Sequence, residues 1–504
     1  MSKLNFYETG LLAPANIVRE FGSIYIHQTI KGPIAYRQNK FPSGRLWQID
    51  SDVTPIPPIT IPDVGIGNSL FVSSIGKTIA DGAIRESLTD HFSSLGEAVS
   101  AAQYGDTIYV YGGTHANTGN LYKDGVNYEF IGYPTLSAGT TMFTDLGVAS
   151  LTPFRVKGNA IIQNSGNAVF NFTGLDNVID LECESIITNA SIPILFTDVQ
   201  GTLKINGKIV HTSNINGIVF RGNSRVKVYA DEIQNITTNT NSNYGTIYFD
   251  VSTVPYFSGN VEITANKIHR NGGRAGLIRI GHNSTNLISG KVVINCPDIN
   301  YTTSASANAS NNAIALVVKA TNDFELFING NITVSGNTNS AYYIYGAYNN
   351  LGYFNVTHNG NITTTSPNAT DTILFFNSYG GQATDVNITF KNGEAINDGY
   401  IQRMFVCEGG IDNVLTFENY KIYNYYDSGA LTQTGISIAP TVDLRLNNVL
   451  IYTPNAFGSP YPIASTAPTN IRVYQGQVCA NIAPDVNITN LITGTSIIVD
   501  TDVI

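Results

Sequence analysis

The sequence predicts an all-β chain wound as a right-handed parallel β-helix, a solenoid with a short N-terminal capping helix and a small attachment module before it. Three observations predict this. The composition is poor in charge and crowded with asparagine and glycine. Paired apolar runs return about every thirty residues. One short capped helix is followed at once by an alternating strand.

Charged residues make up 13% of the 504 positions and hydrophobic ones 42%. Soluble domains usually carry about 25% charge. A shortfall of that size fits an outer surface covered by Asn, Thr and Ser instead of Lys and Glu. The 56 asparagines and 47 glycines mark many turns, because Asn tolerates left-handed backbone and bonds to its own chain. The net charge is -10 and the pI about 5.2. A nucleic-acid surface is basic, so DNA and RNA are excluded as expected partners.

Cys183, Cys296, Cys407 and Cys479 are too far apart for a zinc-type spacing, so no metal or cofactor is expected. They read as small buried hydrophobes. The start, MSKLNFYETGLLAPANIVREFG, lacks the apolar core of ~7–15 residues that an export signal needs. No run approaches the ~20 apolar residues of a membrane span. Synthesis in a cytoplasm without export is therefore expected. N-x-S/T triplets, as at Asn331, Asn355 and Asn361, follow from an Asn/Thr-rich composition.

Residues 1–54 read as a separate module that docks on another protein through Arg37, Lys40, Arg45 and the sole tryptophan, Trp47. The Pro-rich stretch 55–63 reads as an extended linker. Residues 64–150 read as the β-helix cap and first rungs. Within them, Ser94 and Glu97 form a capping box. Leu95, Ala98, Val99 and Ala102 follow at helical spacing, and Gly105 stops the helix. Ile108 and Val110 alternate with Tyr109 and Tyr111, as in a half-buried strand. Lys123-Asp124-Gly125 is a turn, and Tyr128 to Ile131 the next strand.

From about 151 to 480 two kinds of run alternate. The first is short and apolar and often ends in Gly: PILFTDVQG (193–201), GLIRIG (276–281), YYIYG (342–346). The second has apolar residues at alternating places, as in VKVYADEI (226–233) and VLTFENYKI (414–422). Taking its second apolar position as anchor gives Ile205, Val228, Ile263, Ile294, Phe327, Val356, Ile388, Phe417, Leu446 and Val473. The steps run from 23 to 35 residues. Periods of ~20–50 residues signal a repeat array, and these segments lack helix formers. Each period is one rung of two or three strands. Roughly eleven rungs at ~4.8 Å each predict a rod near ~50 Å. A β-sandwich, the competing fold, does not explain a recurring paired frame. Residues 481–504 read as a C-terminal cap or a subunit contact.

The stretch SLGEAVSAAQYGDTIYVYGGTH…NLYKDGVNYEFIGYP resembles the opening of the pectin-lyase-like right-handed β-helix superfamily, over about forty residues. The resemblance implies the cap and first rungs, and says nothing of catalysis. Its relatives include pectate lyases, polygalacturonases and phage tailspikes, which work with clustered carboxylates; related tailspikes and fibres are homotrimers. Candidate acids are Glu182 and Glu184 at i, i+2, the pair Asp231 and Glu232, and Asp250, Glu262, Asp298 and Glu325 in successive rungs. Glycoside hydrolysis needs two carboxyls about 5–9.5 Å apart. The polygalacturonase set is absent, and Arg279 and His282 within RIGH are a superficial echo that suits an anionic sugar at most. The tyrosines Tyr342, Tyr343, Tyr345, Tyr423, Tyr425 and Tyr426 are candidates for stacking on sugars, or on one another. The reading is a virion fibre, spike or decoration protein for host-surface attachment, with other virion proteins and a host glycan as partners. A polysaccharide-cleaving tailspike and a bacterial surface adhesin are the alternatives.

Overall fold

In a computed structural model of the chain, two compact units separate, residues 1–66 and 67–504. The structure describes strands within 9–49 and the strand framework from 67 to 480. The segments 1–8, 11–23, 50–66, 74–90 and 481–504, and many of the connections between strands, lie outside the described residues. The proposed linker 55–63 and the C-terminal cap therefore fall outside them.

The first unit holds an antiparallel meander of Ile24–Thr29, Gly32–Phe41 and Gly44–Ile49. Register sets Lys40 opposite Arg45 and Gln38 opposite Trp47, while Arg37 lies between Ile24 and Gln48.

Every strand pairing in the second unit is parallel, and the unit is a β-helix. The two kinds of sequence run become its two strand columns. The short runs, such as Ile194–Thr197, Ile218–Arg221 and Gly245–Phe249, stack on one another. The alternating runs form longer strands, such as Gln200–His211, Arg225–Ile236 and Asn260–Asn271, which bend midway and stack as a second column. Parallel neighbours cannot be joined by a tight hairpin, so each turn of chain must travel round the other column before it pairs again. About fourteen successive rungs run from Thr107–Tyr111 to Ile471–Ala480. At ~4.8 Å per rung this is roughly 60 Å, longer than expected. The excess comes from early rungs, which are as short as the 20 residues from Ile108 to Tyr128 and hide from a thirty-residue frame.

Inward columns form the core. Phe172, Phe196, Phe220 and Phe249 stack in register with ring centroids 5.3–6.4 Å apart, and Ile280 and Leu316 continue the column. In the bent sheet the true stack is Leu203, Val228, Ile263, Ile294, Ile328, His358, Phe390, Phe417 and Leu446, with the backbone of Val473 in register beyond it. Four predicted anchors are corrected. Ile205, Val356 and Ile388 sit two residues off, on the right face in a neighbouring column. Phe327 sits one residue off and so faces outward, because a one-residue slip reverses every side chain.

From Gly330 onward the midway bend takes left-handed backbone. Asn392, Asn419 and Asn448 take φ of 50–54° there, and Gly330 and Gly360 take φ of 147° and 142°. A Cβ on Gly330 would lie 1.6 Å from the Cys296 carbonyl oxygen. At this corner the asparagines also bond to one another along the rod. Asn329, Asn359, Asn392, Asn419 and Asn448 each donate Nδ2 to the Oδ1 of the asparagine below, at 2.8–3.4 Å, beginning on Asn295. A primary amide is both donor and acceptor, so one residue type satisfies its own copy rung after rung. These asparagines thus do more than form turns.

Inside the far corner a polar column runs in register through Asn164, Thr188, His211, Asn235, Arg270 and Tyr301. Its members are buried. Asn235 bonds His211 Nδ1 at 2.9 Å, and Arg270 donates to Thr246 Oγ1 at 3.3 Å. Burial brings the Arg270 guanidinium down to about 10.

The cap forms as read. The helix is Leu95–Ala101, and the Ser94 hydroxyl accepts the Glu97 N–H at 3.3 Å. The Glu97 carboxylate accepts from Ser93. Leu95, Ala98 and Ala102 are buried in the same core as the rungs, and Val99 is partly buried against it. The helix stops at Ala101, before Gly105, because the chain turns extended at Ala102. Asp106 ties the cap to the first strand: it accepts the N–H groups of Asn68 at 2.7 Å and Gln103 at 2.6 Å.

Lys123 Nζ donates to the carbonyls of Val99, Ser100 and Ala102 at the helix C-terminus, where a cation meets both the unpaired acceptors and the dipole. Lys123→Met is expected to destabilise the cap by about 1 kcal/mol. Hydrogen exchange would show faster exchange at Ala98 to Ala102 and no change beyond residue 200; unchanged protection there would contradict the capping role.

Candidate functional site

Most of the carboxylates proposed as catalysts are engaged by neighbours one rung away. Glu182 lies in register with Lys204 and accepts from it at 2.6 Å, and from Asn206 at 3.3 Å. The Lys204 bond, followed by Asn206, holds its carboxyl below the ordinary range against the opposing effect of burial. Glu184 sits at the bend, where its carbonyl accepts the Gly207 N–H at 2.8 Å. Asp231 accepts from Asn266 at 2.7 Å. Glu232 meets Lys208 at 2.5 Å and His269 at 2.7 Å, and the Lys208 bond lowers its carboxyl too.

A general acid in glycoside cleavage needs a raised pKa, and both resolved carboxyl shifts in this set run the other way. Glu262 pairs with Lys227, Asp298 with Lys267 and Glu325 with Lys291, at 3.5–3.9 Å. Asp250 is buried against Arg221 at 2.8 Å. Along one column the signs alternate in register: Lys208, Glu232, Lys267, Asp298. The exposed pairs stabilise little individually; their effect is to hold register between rungs. Among the described residues no cluster of His, Cys, Asp and Glu could hold a metal ion, and Cys183, Cys296 and Cys407 are free and buried.

The tyrosines divide. Tyr342 is corrected from a surface candidate to a core residue. It is fully buried in the column of Ile314 and Leu374, with its hydroxyl 2.8 Å from His358 Nδ1. In YYIYG only one parity can face inward, and Tyr342 with Ile344 takes it. Tyr343 faces outward and stacks on Phe375, centroids 5.6 Å apart and nearly parallel. The Tyr345 side chain and Tyr426 lie outside the described residues, as do the side chains of Arg37, Lys40, Arg45 and Trp47. Tyr423 and Tyr425 lie parallel at 6.0 Å, and Tyr452 packs edge-on to both at 6.3 Å. Tyr425 is 41% exposed. Tyr452 was not among the sequence candidates; the signal for it is the repeat step itself, since it is the register partner of Tyr423.

Arg279 lies outward on the short-strand column, mostly buried, and donates Nε to the Gly281 carbonyl at 3.0 Å. Burial brings it down to about 10. His282 lies outside the described residues.

A groove of about 550 Å³ crosses the outward face of the bent sheet between Phe327 and Asn447. None of its lining residues had a functional reading from sequence, because Asn and Thr at alternating places are simply the outer parity of a strand. No helix among the described residues is long and apolar enough to cross a membrane. A comparison with known proteins finds no matching family, no similar curated protein and no similar solved structure.

Proposed function

We propose that the protein is a structural attachment rod, a fibre, spike or decoration part of a virus particle, which docks through its N-terminal unit and meets a host-surface glycan along the solenoid. The observation that carries this reading is the continuous parallel pairing of the rungs from residue 107 to 480, with outward charges matched between neighbours. Such a stack resists bending because each rung is bonded along its length to the next. Its resolved carboxyl shifts suit ion pairing, not proton donation. The partly exposed cluster of Tyr423, Tyr425 and Tyr452 offers aromatic faces on the outside of the rod. A homotrimer is the assembly proposed with it.

Deleting residues 1–60 is expected to leave a soluble rod that no longer joins particles when supplied during assembly, measured by immunoblot of purified particles. Retained incorporation would contradict the docking role. Release of sugar from host capsule by the full chain would instead favour the cleaving alternative.

A further inference from the structure

The groove on the bent sheet has a floor made of one column in strict register: Phe327, Thr357, Thr389, Thr416 and Arg445. Four rung steps of ~4.8 Å give it a length of ~19 Å along the rod. Asn355 and Asn387 flank the threonines on one side, with the Asn387 amide donating to Asn355 at 2.9 Å. Glu418 and Asn447, themselves register partners, flank them on the other.

Two cations at this floor are paired within the protein, and a third lies in register with an acid. Arg445 is held by Asp443 through Nε at 3.0 Å and a terminal nitrogen at 2.9 Å. Lys391 is the register neighbour of Glu418. Lys291 pairs with Glu325 at 3.5 Å and sits 4.7 Å from the Phe327 ring centroid. A groove so balanced has little to gain from a charged ligand. It holds rows of hydroxyls and amides at a regular spacing, which suit a polyhydroxylated chain, and one aromatic ring at its end, which suits the apolar face of a sugar ring.

We propose that this groove binds a neutral oligosaccharide lying along the rod axis, with Thr357, Thr389 and Thr416 beneath successive sugar units and Phe327 stacking at one end. The inference deepens the attachment reading and rests on it only for the source of the sugar. Nucleic acid is disfavoured, since binding a phosphate backbone needs unpaired Lys and Arg.

The test is calorimetric titration of the full chain with neutral hexaoses of glucose, mannose and N-acetylglucosamine, and with hexagalacturonate as the anionic comparison. At least one neutral hexaose is expected to bind. Thr389→Tyr, which fills the middle of the floor from an outward position, is expected to abolish that binding. Phe327→Ala is expected to weaken it about fivefold, the loss of one aromatic contact. Lys157→Ala, in the exposed pair with Asp180 on an early rung, is expected to leave it unchanged. Unchanged melting temperatures show that the variants fold. Failure of every neutral hexaose to bind overturns the proposal. So does unaltered affinity in both Thr389→Tyr and Phe327→Ala, or tighter binding of hexagalacturonate than of any neutral chain. Particle incorporation is read separately, so either idea can fail alone.

Discussion

Phe390→Ala is expected to destabilise the rod by about 3–5 kcal/mol, the cost of emptying an aromatic site in a close-packed core. Phe390 is fully buried. Its ring stacks on Phe417 at 5.5 Å, meets Phe405 edge-on at 5.0 Å, and lies within 6.0 Å of Tyr342, His358 and Tyr420. Those neighbours come from both strand columns and cannot collapse inward, because each is held in register by its own rung. Phe390→Leu keeps most of the volume and should cost less than about 1.5 kcal/mol. The damage should also stay local, since each rung touches only its neighbours. Hydrogen exchange is therefore expected to accelerate in strands between Phe354 and Asn424 and to stay unchanged between Thr107 and His211. A urea midpoint barely moved by Phe390→Ala would mean that this stack is not packed as described.

Acid is expected to weaken the same region through His358. This histidine occupies a place in the core column that its neighbours fill with Ile328 and Phe390. Burial is the main cause that lowers its pKa to about 4, with the backbone of Asn361 and Gly360 opposing. In the unfolded chain a histidine titrates near 6.5. Between those two values the unfolded chain binds a proton that the folded rod does not, so stability falls as pH falls. The contribution is fully present above about 6.5 and is lost down to about 4, by about 3 kcal/mol in all.

His358→Met fills the site without titrating. It should lower stability at neutral pH, because the Tyr342 hydroxyl, 2.8 Å from Nδ1, loses its buried partner. It should also flatten the dependence of the urea midpoint between pH 7 and 4. Identical pH slopes in the two proteins would show that His358 is not the titrating group. His269, lowered mainly by burial as well, is common to both proteins and cancels in the comparison.

Local chemistry was legible in the residues themselves. The cap is a matter of Ser94, Glu97 and a short apolar stripe, all within ten residues, and it forms at that place. The two kinds of run foretold two strand columns because a buried strand and a half-buried strand differ in their apolar alternation. Stacking order was harder. Phe327 looks like any other inward aromatic of its frame, and only pairing with Val293 and Thr357 shows that it faces outward. Tyr342 and Tyr343 are identical neighbours in the chain, yet one is core and the other surface. The groove was invisible for the same reason: Thr357, Thr389 and Thr416 lie 27–32 residues apart and meet only when rungs align.

Composition and periodicity alone thus determined the architecture: few charges, abundant asparagine and a paired apolar frame suffice for a parallel solenoid. The tertiary structure alone decided which parity of each strand turns inward, which acids meet a lysine one rung away, and where outward side chains line up into a surface. The physical reason is that alternation is a property of neighbours along the chain, whereas register is set between segments some thirty residues apart, by packing that no single segment contains.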